Sequence, residues 1–272
     1  MEQNSLAATV RAKLLGLHDA EARVAQVVLD QGARLVHLSV SDVAGLAGTS
    51  ASTVVRSCRR LGFGGYQELK IAAARETPPE PRDELDPLTA TVRAAREALG
   101  GLETTLSRAD LGAAAEAINE AGRVLMAATG LSGAVAVDAA YRLRALGLPV
   151  DLPPDPLTAH LAAELLPERS VCLAISHSGA TRSTVETARR ARAAGARVVA
   201  ITSYTSSPLV EESTWALVGG GQDLVLGMEA VAGRLAHLTI VDALSMILLG
   251  LGGGRAERAV SASADVTADH SY

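Results

Sequence analysis

Aromatic residues and cysteines are scarce in this sequence of 272 residues. Phe, Trp and Tyr make up 2% of the chain, against 48% hydrophobic residues in all, so alanine, valine and leucine must build most of the core. The two cysteines, Cys58 and Cys172, both lie in apolar patterns. This placement predicts reduced, buried thiols in a cytoplasmic protein. No signal-peptide pattern is visible in the N-terminal residues.

A positive net charge and long apolar runs are also missing. The chain carries 25 Lys and Arg against 30 Asp and Glu, a formal net charge of −5. This charge argues against electrostatic binding of nucleic acid by the chain as a whole but allows a local basic face. The longest apolar stretch, residues 238–251, is interrupted by Asp242 and is too short to span a bilayer. We therefore expect no membrane segment.

The motifs of several enzyme classes are absent. The sequence contains no Walker pattern, no Gly-x-Gly-x-x-Gly and no Gly-x-Ser-x-Gly, which argues against nucleotide sites and a hydrolase nucleophile. The six histidines show no metal-ligand spacing. We expect no cofactor, no metal and no catalytic residue. Glu229 and His237 would serve acid–base chemistry only if they faced a crevice, and a binding site needs no proton transfer.

The chain divides into two predicted domains: an all-α helix-turn-helix domain, then an α/β domain with a parallel sheet flanked by helices. Residues 1–76 are helical with short breaks. Residues 77–87 hold four prolines among charges, which predicts a stiff linker. Residues 88–251 form the second domain. Residues 252–272 are polar and rich in small residues, so we expect a disordered tail.

Short apolar runs in the second domain alternate with helical patterns, which is typical of interior parallel strands joined by helices. The predicted strands are residues 124–128, 149–152, 171–175, 198–201 and 216–218. The predicted helices are residues 88–106, 110–121, 134–146, 158–166 and 231–250.

A helix-turn-helix pattern occupies residues 40–59. Gly48 supplies the turn between two short helices, and Ser50 can cap the second helix. On a helical wheel, three apolar residues of the second helix fall within about 60° of arc. These buried-face residues are Val54, Cys58 and Leu61.

The opposite face of this second helix is polar and basic. Arginine can pair with guanine edges or phosphates, and serine and threonine can contact bases or the DNA backbone. We interpret this face as a DNA contact, and a solvated surface helix is the alternative. Its members are Ser52, Thr53, Arg56, Arg59 and Arg60.

A turn rich in hydroxyl groups follows the apolar run at residues 171–175. Ser176, Ser178 and Thr181 lie in it, and Gly179 allows a ligand to approach the backbone closely. The helix that follows directs free N–H groups and a positive dipole end at the same place. These features predict a site for a small phosphorylated molecule, with capping of the helix by the hydroxyls as the alternative.

A second turn, residues 129–133, follows the strand at 124–128. Ligands of open α/β sheets bind at the carboxyl ends of the strands, where both turns lie. Ser132 could therefore add a hydroxyl to the same crevice, and a plain tight turn is the alternative.

Taken together, the two domains resemble the RpiR-type bacterial transcription regulators, in which an N-terminal helix-turn-helix precedes a SIS (sugar isomerase) domain. The resemblance covers about residues 10 to 250. This chain has Ala128 where the first SIS turn usually has a glycine, and Ser183 where a Glu often follows the second turn. The segments that carry the resemblance are STVVR at 52–56, LGFGGYQELK at 61–70, ISHSGAT at 175–181, GARVVAIT at 195–202, SPL at 207–209 and GRLAHLTIVDAL at 233–244.

The resemblance implies a transcriptional regulator that binds a double-stranded DNA operator and is controlled by a phosphosugar. In similar proteins the SIS serines and threonine bind the phosphosugar, which implies the same role for Ser176, Ser178 and Thr181, with help from Ser132. A homodimer or homotetramer is the expected assembly.

Two alternatives remain at this point. The first is a sugar-phosphate isomerase or lyase with an accessory N-terminal domain, although no isomerase needs a helix-turn-helix. The second is a SIS protein whose helix-turn-helix binds only protein.

Overall fold

The computed structural model describes residues 6–14, 17–76, 86–220, 224–225, 228–229 and 231–270. The chain forms two compact units. The first comprises residues 1–92 with the short segments 206–208 and 222–230, and the second comprises residues 93–205, 209–221 and 231–272. Most of the predicted linker, residues 77–85, lies outside the described residues, so the linker stays a prediction.

The first unit is mainly helical. A 3-10 helix, Gly32–His37, joins its second and third helices, and a two-stranded antiparallel hairpin of β6 (Leu224–Val225) and β7 (Met228–Glu229) belongs to it. Its fully buried apolar side chains come from six successive helical segments, the five α-helices and the 3-10 helix, so it has its own core. The α-helices are α1 (Leu6–Lys13), α2 (Asp19–Gln31), α3 (Val40–Leu46), α4 (Ala51–Arg60) and α5 (Tyr66–Glu76). The core side chains include Val24, Val28, Leu35, Val54, Leu61 and Leu69.

The second unit is built on a five-stranded parallel sheet with the strand order β2-β1-β3-β4-β5. The strands are β1 (Val124–Ala127), β2 (Val150–Asp151), β3 (Val171–Ile175), β4 (Arg197–Thr202) and β5 (Trp215–Val218). The helices from residue 87 onward are α6 (Pro87–Thr105), α7 (Arg108–Asn119), α8 (Ser132–Ala145), α9 (Pro156–Glu164), α10 (Arg182–Ala193), α11 (Pro208–Glu212) and α12 (Val231–Asp269). The first residues of α6 and α11 are grouped with the first unit.

Alternate residues of the central strands point to opposite faces, and both faces are covered. Met126 and Leu173 pack in one apolar cluster with residues of α7, α8 and α12. Leu125 and Cys172 pack in the other with residues of α9 and α10. All residues of β1 and β3 are buried, which explains why these strands read as continuous apolar runs. The predicted α/β fold, with helices on both faces of a parallel sheet, is confirmed.

The long C-terminal helix corrects one prediction. Helix α12 passes the predicted end at residue 250 and continues to Asp269, with a kink at Gly253. After the kink, Arg255 donates to the side-chain oxygen of Asn119 at 2.7 Å and to the carbonyl oxygen of Leu146 at 3.3 Å. The prediction of disorder from residue 252 is therefore wrong, because contacts with α7 and the end of α8 order a segment whose composition alone does not specify a fold.

By length and composition alone, α12 is apolar enough to cross a membrane. The same properties suit a core helix, and one side of α12 packs in the cluster beneath the sheet through Ala236, Ile240 and Leu244. These three residues of α12 therefore belong to the core of the second unit.

Both cysteines should be unreactive in the folded protein. Cys58 and Cys172 are fully buried, and burial raises the pKa of each thiol to about 12. Because the thiolate is the reacting species, we expect no reaction with a thiol reagent at pH 8, and full reaction of both in denaturant. A native thiol that reacts faster than the protein unfolds would contradict this placement.

Candidate functional site

Helix α4 has the two faces that the sequence predicts. Val54, Cys58 and Leu61 have no exposed surface. Ser50 caps the helix by accepting a hydrogen bond from the N–H of Thr53 at 3.3 Å, and Gly48 has a φ of 59° in the turn before it. The turn and the buried face of the helix-turn-helix are thus confirmed.

Four of the five predicted DNA-contacting residues lie on the exposed side of α4: Ser52, Arg56, Arg59 and Arg60. Thr53 does not. Its side chain is buried, and its hydroxyl lies 2.9 Å from the Ser50 hydroxyl, inside the cap. Its predicted place on the exposed face is wrong, because the N-terminal cap draws this hydroxyl inward.

A buried carboxylate on α2 organises two of the arginines. Glu21 is the third residue of that helix, and its Oε2 accepts from the backbone N–H of His18 at 3.2 Å. Its Oε1 lies 3.4 Å from the Nε atoms of both Arg56 and Arg60. The two guanidinium groups stay about half exposed, with 63% and 46% of their side chains accessible. The carboxylate therefore orients the arginines and leaves them open to a partner.

The two turns of the second unit meet as the strand order predicts. Strands β1 and β3 are parallel neighbours, so the turns that follow them lie side by side. The hydroxyls of Thr129 in the first turn and Ser183 in the first turn of α10 are 3.3 Å apart. The first turn and the start of α10 therefore border one crevice at the carboxyl edge of the sheet.

The turn after β3 is held by hydrogen bonds among its own residues. Gly179 has a φ of 60°, and its N–H donates to the carbonyl oxygen of Ser176 at 3.0 Å. The hydroxyls of Ser176 and Thr181 are 3.0 Å apart, and Ser178 Oγ accepts from the N–H of Ala180 at 3.3 Å. All three predicted phosphate-binding side chains are thus gathered in one tight turn.

The helices after these turns begin without a side-chain cap. Thr181 is the N-cap residue of α10, but its hydroxyl pairs with Ser176 and makes no cap bond. Helix α8 begins after Leu131, which cannot cap it. At α8 the N–H groups of Gly133 and Ala134 donate to the carbonyl oxygens of Gly130 and Leu131. The N-terminus of α10 therefore offers the uncapped N–H groups, and its positive dipole end favours an anion.

A cavity of about 390 Å³ lies between the first turn, the segment after β2 and the start of α10, a size that suits a small metabolite. Ser176, Ser178 and Thr181 do not line it. Asp155 is the one charged residue in its lining. Ser132, which was predicted to join the site, is buried at the start of α8. Thr129, Gly130 and Gly133 of the same turn line the cavity, and Ser132 does not. The lining residues are Met126, Ala128, Thr129, Gly130, Gly133, Ala136, Val137, Leu152, Pro153, Pro154, Asp155, Pro156, Ala159, Ser183, Thr184 and Thr187.

Several residues of this crevice are not predicted by the sequence patterns. Residues 152–156 follow β2, which has only two residues, too few for periodicity to place a site there. The prolines that follow this strand are the sequence feature that could have indicated a structured loop at the crevice. Of the two residues considered for acid–base chemistry, His237 is fully buried, and the side chain of Glu229 lies outside the described residues.

Comparison with known families agrees with both units. Residues 4–80 match the helix-turn-helix domain of the rpiR family, and residues 117–246 match the SIS domain. An uncharacterised HTH-type transcriptional regulator of Caldanaerobacter subterraneus subsp. tengcongensis is 29% identical over 251 residues, 89% of each chain. The HTH-type transcriptional regulator HexR of Escherichia coli is 29% identical over 247 residues, 87% of this chain and 85% of that protein.

A solved structure resembles the whole chain. The Vibrio vulnificus NanR protein in complex with ManNAc-6P has a TM-score of 0.84 and 25% sequence identity, and the match covers 98% of this chain and 100% of the other. This protein therefore shares the order and fold of both units.

Proposed function

Because the chain belongs to the RpiR family of helix-turn-helix transcriptional regulators with a SIS domain, we propose that its SIS crevice binds the phosphate group of a sugar-phosphate effector. The chain is a DNA-binding regulator that senses a sugar phosphate. The ManNAc-6P bound by NanR is a phosphosugar, and the cavity of about 390 Å³ suits a ligand of this class.

The observation that carries the effector site is the open N-terminus of α10 beside three hydroxyls. Helices α3, α4, α7 and α9 are each capped by a Ser or Asp side chain, whereas the Thr181 hydroxyl leaves the N–H groups of α10 free. We assign Ser176, Ser178 and Thr181 to the phosphate, with Ser132 contributing from the adjacent turn. A phosphate here would accept from hydroxyls and backbone N–H groups without needing a lysine.

For the DNA interface, we propose that α4 enters the major groove with Ser52, Arg56, Arg59 and Arg60. The exposed guanidinium groups supply the donors that base edges and phosphates accept. Thr53 keeps the helix cap intact and takes no part in contact.

The active form is proposed to be a cytoplasmic homodimer or homotetramer. Two helix-turn-helix domains of a dimer read half-sites about 34–36 Å apart. The effector must bind one arrangement of the assembly more tightly than another in order to change operator affinity. In this proposal the phosphosugar is an effector, so it binds and dissociates without being chemically converted.

A gel shift with the promoter beside the protein's own gene tests this function. We expect a shifted band whose intensity responds to a sugar phosphate, and no isomerase turnover of that sugar phosphate by the purified protein. Folded protein that gives no shift at low salt would refute the DNA-binding role. Turnover of the phosphosugar would instead favour the isomerase.

Substitution of Ser178 by Ala tests the effector site. Loss of one hydrogen bond should raise the half-effective effector concentration about 3- to 10-fold, with operator affinity unchanged when no effector is present. Ser245→Ala is the matched control, because it removes a hydroxyl that donates to Val241 within α12, and it should respond as the wild type does. An unchanged effector response in the Ser178 variant would place the ligand elsewhere.

A further inference from the structure

Ser203 lies at the centre of a buried polar cluster next to the effector turn. It follows β4, and its Oγ is 3.0 Å from His177 Nδ1, 3.1 Å from His237 Nε2 and 3.3 Å from the carbonyl oxygen of Gly219. The three side chains are at most 8% exposed. One hydroxyl thus joins the turn after β3, the end of β5 and helix α12.

The proton positions in this cluster follow from counting donors. The Ser203 hydroxyl has one proton, and the Gly219 carbonyl can only accept. All three contacts are satisfied together only when Ser203 donates to Gly219 and both imidazoles donate N–H groups to Ser203 Oγ. This arrangement requires a proton on Nδ1 of His177 and on Nε2 of His237, which in a neutral ring fixes the tautomer.

The same serine also fixes the backbone of the effector turn. His177 stands between Ser176 and Ser178, and its carbonyl oxygen accepts from the N–H of Ser203 at 3.0 Å and from the hydroxyl of Thr202 at 3.1 Å. His177 is therefore tied to the end of β4 through both its main chain and its ring.

The cluster has little room to rearrange. A Cβ atom at Gly220 would lie 2.9 Å from Ser203 Oγ, closer than a Cβ atom comes to another heavy atom in proteins. With its single proton and both lone pairs engaged, the hydroxyl cannot follow a shift of one imidazole without lengthening its bond to the other.

We propose that Ser203 is a positioning residue that couples the effector turn to helix α12 through His177 and His237. Phosphate binding at the turn and the position of the first turns of α12 then depend on each other, since coupling between two sites is reciprocal. This inference rests on the proposed effector site at Ser176, Ser178 and Thr181.

The test uses the full chain labelled with ¹⁵N and inorganic phosphate as the probe. Long-range ¹H–¹⁵N spectra at neutral pH report the tautomer of each histidine ring, and we expect the Nδ1–H form for His177 and the Nε2–H form for His237. Phosphate should shift the ring signals of both histidines. In Ser203→Ala, phosphate affinity should fall about 3- to 10-fold, and the response of His237 should disappear.

Two variants of His237 separate positioning from a purely structural role. His237→Gln keeps an N–H donor near the place of Nε2 and should retain the phosphate affinity of the wild type. His237→Leu fills similar space without a donor and should behave like Ser203→Ala. Equal affinities in the Gln and Leu variants would overturn the proposal.

The outcomes also distinguish this inference from the proposed function. If phosphate shifts the backbone signals of residues 176–181 while His237 does not respond, the coupling is refuted and the effector site stands. If phosphate leaves those turn signals unchanged, both the effector site and the coupling are refuted.

Discussion

Replacing Arg59 with Ala is expected to weaken operator binding about 10- to 100-fold, the loss of one bidentate contact to a base edge or phosphate. Arg59 is exposed on α4, and its Nε makes a long 3.4 Å hydrogen bond to the carbonyl oxygen of Gly64. Unlike Arg56 and Arg60, it has no carboxylate within ion-pair distance among the described residues. Its guanidinium can therefore be directed to DNA at little cost in folding stability.

The measurement is an anisotropy titration of labelled operator DNA at several salt concentrations. If Arg59 contacts a phosphate, the variant should lose affinity equally for all DNA sequences, and its affinity should depend less steeply on salt concentration. If Arg59 contacts a base, affinity should fall for the operator alone. Arg108→Ala removes an exposed arginine from α7 and serves as the control. Wild-type affinity in the Arg59 variant would exclude this face of α4 from the DNA interface.

The second large effect is a loss of stability in acid caused by His237. Burial lowers the pKa of His237 from 6.5 to about 4. Above pH 6.5 the ring is neutral in both the folded and the unfolded chain and contributes no pH dependence. Between pH 6.5 and 4 the unfolded chain binds a proton that the folded chain does not bind. This difference lowers the free energy of unfolding by about 3 kcal/mol, and the loss levels off below pH 4.

Urea unfolding between pH 4 and 7.5, compared with the His237→Gln variant, measures this effect. Carboxylates titrate over part of the same range in both proteins, so the difference between the two curves isolates the histidine. We expect this difference to shift by about 3 kcal/mol in favour of the Gln variant as the pH falls. Parallel curves would show that His237 takes up a proton in the folded state as readily as in the unfolded state.

The sequence pattern predicts those strands and helix faces that are determined by residues close together in the chain. The run at residues 171–175 is buried on both faces of the sheet and becomes β3 with the same bounds. The spacing of Val54, Cys58 and Leu61 located the buried face of α4, since a single helical period determines it. The convergence of the two turns followed from the rule that parallel strands end at the same edge of the sheet.

Features that depend on distant contacts could not be predicted in the same way. Glu21 reaches α4 from more than 30 positions earlier in the chain, and no pattern around it indicates this. The helix beyond Gly253 is ordered through contacts of Arg255 with Asn119, more than 130 residues away. A helical wheel gives the angle of Thr53 around the helix axis. It does not show the hydrogen bond with Ser50 that draws the Thr53 hydroxyl into the cap, so the predicted exposed position is wrong.

The carboxylate shared by Arg56 and Arg60 also bears on how selectively α4 can bind. Each DNA phosphate that approaches these arginines competes with an anion already in place, the Oε1 of Glu21 at 3.4 Å. An isolated phosphate on random DNA exchanges one charged partner for another and gains little. A site that engages both guanidinium groups and the neighbouring Arg59 at once can outcompete the internal anion. In the proposed DNA interface, Glu21 therefore competes with DNA phosphates for Arg56 and Arg60, and we expect this competition to weaken binding to unrelated sequences.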